Sequence, residues 1–170
     1  SCQYGHLDVV KWLYEIKPTI DISAEDEYAF KWSCKNGHLD VAKWLYEIKP
    51  TIDISIDDEY AFTYSCENGH LDVAKWLYEI KPTINISIQD ECAFRWSCYY
   101  GHLDVAKWLY EINPTINIST SDEYAFRECC ENGHLDVAKW LYEIKPTIDI
   151  STNDEEAFRE SCENGHLDVA

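Results

Sequence analysis

A chain of 170 residues with a formal net charge of −18 is long enough for one domain with a substantial core. With 46% hydrophobic and 27% charged residues it is not a disordered polymer, and no apolar run approaches the ~20 residues of a membrane span, so no membrane contact is expected. The acidity repels phosphate backbones, which argues against a nucleic-acid partner and for basic proteins or segments; it also serves to keep a repetitive protein soluble.

The chain opens on Ser1-Cys2 without a signal-peptide pattern, in the tail of a unit that then recurs. Gly-His stands at Gly5, Gly37, Gly69, Gly101, Gly133 and Gly165, always 32 residues apart, and these are all 6 glycines and all 6 histidines. Pro18, Pro50, Pro82, Pro114 and Pro146 keep the same period, as do Cys2, Cys34, Cys66, Cys98, Cys130 and Cys162. A fixed period of this kind marks stacked repeats. With the serine before each first helix as boundary, 1–22 is a partial unit, 23–54, 55–86, 87–118 and 119–150 are full units, and 151–170 is partial. The length is five periods of 32 plus 10 residues, and the last copy stops within GHLDVA. The expectation is a segment of a longer array without its terminal capping repeats.

Within the unit 23–54, Ser23 followed by Asp26 reads as a helix N-cap with an acid at the third position, repeated at Ser55/Asp58, Ser87/Asp90, Ser119/Asp122 and Ser151/Asp154. A first helix runs to about Asn36, with Ala29, Phe30, Ser33 and Cys34 as its small, apolar stripe, and Gly37 takes the left-handed position after it. A second helix runs from about Leu39 to Ile48, burying Leu39, Val41, Ala42, Trp44, Leu45 and Ile48. Asp40, Lys43 and Glu47 fall on its outer face, at spacings that allow ion pairs. Pro50 ends it, and Thr51–Ile54 alternates polar and apolar as a short extended connector.

The words NGHLDVAKWLYE resemble the middle of an ankyrin repeat, where NGH-L-[DE]-V-V-x-x-L-L is usual, and the spacing of 32 is close to that family's period of about 33. The likeness covers the whole chain, about five repeats in length, as four full units and two partial ones by the boundaries above. It implies an all-α, ankyrin-like helix-turn-helix solenoid with short extended connectors. It also implies a non-catalytic scaffold, needing no cofactor, that binds a protein partner on the concave face formed by the first helices and the loops before them. The family's TPLH is replaced by Tyr28-Ala29-Phe30-Lys31, and its Gly-Ala-Asp by Lys-Pro-Thr-Ile-Asp. The segment for the projecting β-hairpin finger is shortened. This divergent 32-residue style is similar to ankyrin proteins of giant DNA viruses of amoebae, which implies an intracellular, cytoplasmic setting, that of a host cell if the source is viral.

Residues that could carry chemistry read as scaffold. Cys34-x-x-x-His38 lacks the four converging ligands of a zinc site, so no metal is expected, and Cys34 serves as a small buried hydrophobe. The cysteine ladder is too widely spaced for disulfides, and 8 reduced cysteines fit a reducing compartment. Cys92 and Cys129 stand off the ladder as individual replacements of Tyr and Ser. His38 beside Asp40 has no recurring nucleophile, so no catalysis is expected; the histidine is assigned to hydrogen bonding between adjacent turns. The row Trp12, Trp44, Trp76, Trp108 and Trp140 is assigned to packing between repeats.

The copies differ mainly after the capping serine and within the first helix: Lys31-Trp32, Thr63-Tyr64, Arg95-Trp96, Arg127-Glu128 and Arg159-Glu160, with Tyr99-Tyr100 where Glu-Asn is usual. The candidate partner-binding residues are Lys31, Trp32, Tyr64, Arg95, Trp96, Tyr99, Tyr100, Arg127 and Arg159, because aromatics and arginine dominate interface hot spots. The competing reading of the basic row is intrahelical pairing, Glu27/Lys31, Glu91/Arg95, Glu123/Arg127 and Glu155/Arg159. Two other functions remain open: a structural array that self-associates through uncapped ends, and a consensus-designed repeat protein, although scattered changes such as Cys92 and Thr63 look more like drift after duplication.

Overall fold

The computed structural model describes residues 1–169. Among them, a 3-10 turn at Cys2–Tyr4 precedes ten α-helices, and there is no strand. The helices are α1 Leu7–Ile16, α2 Ala24–Lys35, α3 Leu39–Ile48, α4 Ile56–Glu67, α5 Leu71–Ile80, α6 Ile88–Tyr99, α7 Leu103–Ile112, α8 Thr120–Glu131, α9 Leu135–Ile144 and α10 Thr152–Glu163. Two compact units are formed, 1–85 and 86–170. In the first, α2 packs on α3 and α4, α4 on α5, and α1 on α3; in the second, α6 packs on α7 and α8, and α8 on α9 and α10. Within each unit first helices lie beside first helices, and α2, α4, α6 and α8 are each backed by the helix that follows, the all-helical packing of a repeat solenoid.

The core is the periodic set. Phe30, Cys34, Val41, Ala42 and Leu45 are buried, as are Phe62, Cys66, Val73, Ala74 and Leu77, and Phe94, Cys98, Val105, Ala106 and Leu109. The cysteines are thiols in the apolar stripe, and burial pushes those of Cys34 and Cys98 well above their ordinary pKa. Ser33, Ser65 and Ser97 return their hydroxyls to the carbonyls of Phe30, Phe62 and Phe94; Cys129, standing where the others have serine, donates its thiol to the Phe126 carbonyl at 3.1 Å.

The turn between the two helices explains the Gly-His words. Gly37 has φ +75, its N–H bonds the Cys34 carbonyl, and the His38 N–H bonds the Ser33 carbonyl at 2.8 Å, a Schellman closure. His38 Nε2 lies 3.0 Å from the Gln3 carbonyl of the preceding turn. A side chain on Gly5 would meet the ring of His38, and one on Gly37 the ring of His70. Glycine is thus required twice over, for its backbone angle and for the imidazole stacked on it.

Trp44, Trp76 and Trp140 pack between repeats as expected, whereas Trp12, assigned to the same row, is 57% exposed. Trp44 meets Tyr14 edge-on at 5.6 Å; Trp76 meets Tyr46 at 5.9 Å and Phe30 at 6.1 Å; Trp140 meets Tyr110 at 6.0 Å and Phe94 at 6.2 Å.

Three local expectations are corrected. The serine is not a side-chain N-cap: no cap hydrogen bond forms at Ser23, Ser55, Ser87, Ser119 or Ser151. Each of these helices instead opens with three residues in the left-handed region, such as Glu25, Asp26 and Glu27 at φ 56, 54 and 60. The Ser23 carbonyl closes that turn by accepting the Glu27 N–H, and its hydroxyl accepts from Lys49 at the end of the second helix. Lys81 reaches Ser55 and Lys145 reaches Ser119 in the same way, and Asn113, which replaces lysine, reaches Ser87 at 3.2 Å. The connector is not extended. It is a pair of turns, with the Ile52 N–H on the Lys49 carbonyl, although Ile52 and Ile54 are buried and Thr51 and Asp53 exposed, as the alternation required. The Asp/Asn alternation has a common purpose, since Asp21, Asp53, Asn117 and Asp149 each accept a serine N–H two residues on through Oδ1. Finally, Asp40, Lys43 and Glu47 form no ion pair with one another; the Asp40 carboxylate accepts the Val41 N–H at the start of α3.

Candidate protein-binding face of the first helices

Burial along the first helices leaves half-buried positions outside the Phe/Ser/Cys stripe, and most of the sequence-variable residues occupy them, whereas Lys31 and Thr63 are buried. In the first unit, Trp32 and Tyr64 are half-buried and share one cation: Lys35 Nζ lies 4.2 Å from the Tyr64 ring centroid, 5.1 Å from Trp32 and 5.9 Å from Tyr60. Tyr28 leans on Trp32 at 5.4 Å, and Tyr60 lies against Tyr64 at 4.1 Å. Lys31, only 8% exposed, points elsewhere, pairing with Asp57 in the next left-handed turn and lying 5.4 Å from the Tyr60 ring.

In the second unit Trp96, Tyr99 and Tyr100 form one cluster. Tyr99 stands edge-on to Trp96 at 5.3 Å and to Tyr100 at 4.7 Å, while Trp96 and Tyr100 are stacked at 6.0 Å. Tyr100 is 45% exposed. Arg95 and Arg127 flank the Tyr124 ring at 5.1 and 6.0 Å. Burial foremost, then the nearby Glu128 carboxylate, raises the Tyr124 phenol pKa. Arg95 donates to the carbonyls of Asp90 and Gln89, and Arg127 to that of Asp122, so both close the left-handed turn that opens their own helix. Arg127 also pairs with Glu156, whereas Arg159 is exposed and reaches only Glu160, at 3.4 Å.

The basic row therefore does not make the intrahelical pairs. Its heads go to turn carbonyls, to acids other than the glutamate four residues earlier, and to tyrosine faces. The reason is the left-handed turn, which carries those glutamates inward: Glu27, Glu59 and Glu123 are 8%, 7% and 9% exposed. Both Glu123 oxygens accept the Ser119 hydroxyl, at 2.5 and 2.6 Å, and Glu59 Oε1 accepts the Asn85 N–H at 3.4 Å. One oxygen each of Glu27, Glu59 and Glu91 has no hydrogen-bond partner. Sequence reasoning missed the buried Glu27, Glu59 and Glu123; their signal was a glutamate that never varies, although its copies Glu91 and Glu155 are half-buried and exposed. It also missed Lys35, whose signal was that no other copy has lysine there.

Stacked helix pairs with a packed interior and a varied outer row of aromatics and cations define a helical-repeat scaffold. Two family models match it: "Ankyrin repeats (many copies)" over residues 2–46 and "Ankyrin repeats (3 copies)" over residues 52–122. Together they span more than half of the sequence, and the protein belongs with the ankyrin-repeat proteins, a family of generally non-catalytic modules that mediate protein–protein interaction. No curated protein matches the chain. Among the described residues, no helix is long and apolar enough to cross a membrane, and no three His, Cys, Asp or Glu side chains converge as metal ligands.

Proposed function

We propose that the chain is a non-catalytic protein-binding module whose contact surface is the first-helix face carrying Lys31, Trp32, Tyr64, Arg95, Trp96, Tyr99, Tyr100, Arg127 and Arg159. The observation that carries this reading is the separation of roles within the repeat. Most residues that pack between copies are held constant, while the variable Trp32, Tyr64, Arg95, Trp96, Tyr99 and Tyr100 stand half-buried or exposed on the first helices, and Glu128 takes the tryptophan position with Phe126 and Cys130 still buried. Half-buried aromatics ringed by polar groups are what protein interfaces use as anchors. The eight cysteines, all thiols and mostly buried, suit the reducing cytoplasm, and the shortened finger suits the divergent style seen in giant DNA viruses of amoebae.

The test is capture from native lysate by the parent chain, by a Trp32→Glu, Tyr64→Glu, Trp96→Glu triple variant, and by a control with Lys43→Glu and Lys75→Glu on the second helices. The reading requires the triple variant to fold and to lose species that the parent and the control retain. A triple variant that unfolds, or that captures the same species, contradicts it.

A further inference from the structure

The two units carry the same site in two states, one filled from within and one not. Trp32, Lys35, Tyr60, Tyr64 and Glu67 of the first unit correspond, 64 residues on, to Trp96, Tyr99, Tyr124, Glu128 and Glu131 of the second. In the first, the Lys35 ammonium lies over Trp32, Tyr60 and Tyr64, and it draws down the pKa of Glu67, which burial raises. The protein thus displays on itself how this surface holds a lysine. In the second unit the lysine is gone, and Tyr99 extends the aromatic surface in its place. Among the described residues no cation lies over Trp96, and Glu128 replaces Tyr64. Glu128 and Glu131 leave two carboxylates where the first unit has one carboxylate and one ammonium. Glu128 is held above its ordinary pKa by burial first and Glu131 second, against the pull of Arg127. Arg95 does not bar a second cation. Its counterpart Lys31 shares the Tyr60 ring with Lys35 in the filled copy, and Arg95 is engaged with the carbonyls of Gln89 and Asp90.

We infer that Trp96, Tyr99 and Tyr100, with Glu128 and Glu131, form a docking site for a lysine or arginine side chain on a basic segment of a partner protein. This rests on the protein-binding reading above and supplies the chemistry of the partner. A cation on the exposed ring faces gains the quadrupole attraction of the aromatics and the field of two acids that have no ammonium of their own. The net charge of −18 adds steering toward the same partner but, being spread over the molecule, does not choose the site.

The experiment is calorimetric titration of the full chain with the capped peptide Gly-Lys-Gly-Lys-Gly-Lys. Tyr99→Lys reproduces the self-filled arrangement and is expected to weaken binding at least tenfold. Tyr142→Lys adds the same charge on the exposed face of α9 and is expected to change it less than twofold. If Tyr99→Lys fails to fold, the double variant Glu128→Gln, Glu131→Gln removes the carboxylates at constant shape and is expected to give a comparable loss. Equal affinities for the parent and the two lysine variants, or for the parent and the glutamine pair, overturn the inference and leave only diffuse attraction. If the lysate partners are lost on Trp96→Glu while the peptide ignores Tyr99→Lys, the docking inference fails and the protein-binding reading stands.

Discussion

Gly37 and His70 act as one feature although 33 residues separate them. The glycine holds φ +75, and a Cβ on it would lie 2.5 Å from Nδ1 of His70. Gly37→Ala is therefore expected to destabilise by about 1–3 kcal/mol, from left-handed strain and displaced imidazole together, as measured by denaturant unfolding. Glu128 offers a second test at this scale. Burial raises its pKa above the ordinary 4.5, so the folded state prefers it protonated, and stability falls as pH rises from the unfolded value through the raised folded one. Glu128→Gln should raise the melting temperature at pH 7 and leave it unchanged at pH 3. The same substitution weakens the proposed lysine site, the pattern expected of a residue kept for binding at the expense of stability.

At the scale of the helix, the sequence was most informative where its periods were regular. The second helix, Leu39–Ile48, was legible to the residue because an amphipathic run lies between a glycine stop and a proline stop. The tryptophan row was legible for the same reason, and Trp76→Ala should cost about 2–4 kcal/mol by loss of its contacts with Tyr46 and Phe30. An unchanged melting curve would remove Trp76 from the packing. The start of the first helix was not legible. Ser-x-x-Asp is a normal capping pattern, and nothing local says that the next three residues turn left-handed or that the serine hydroxyl serves a lysine 26 residues away. That long-range bond, with Lys49, Lys81, Lys145 or Asn113 as donor, explains why a position after an amphipathic helix stays polar in every copy. The candidate face was legible as a set of positions, through variation among copies, but the pairing was not. Intrahelical spacing favoured Glu27/Lys31, and the turn instead buries the glutamate and sends the lysine to Asp57.

For the molecule, repetition and variation divide the work. The constant part makes each copy fit the next: Phe, Cys, Val, Ala and Leu in the core, Gly under His, Trp against Tyr. The variable part lies mainly on the first helices and in the turns before them. Making every copy alike on that face should therefore leave the fold and remove recognition. The most direct measurement is thermal melting together with lysate capture of the chain bearing Lys31→Arg, Trp32→Glu, Thr63→Arg, Tyr64→Glu and Trp96→Glu, which gives all five first helices the Arg-Glu of the last two. The expected result is a melting temperature within about 5 °C of the parent's, a shift of about 1–2 kcal/mol in stability, and loss of the captured species. A collapsed fold, or capture undiminished in a folded variant, would contradict it.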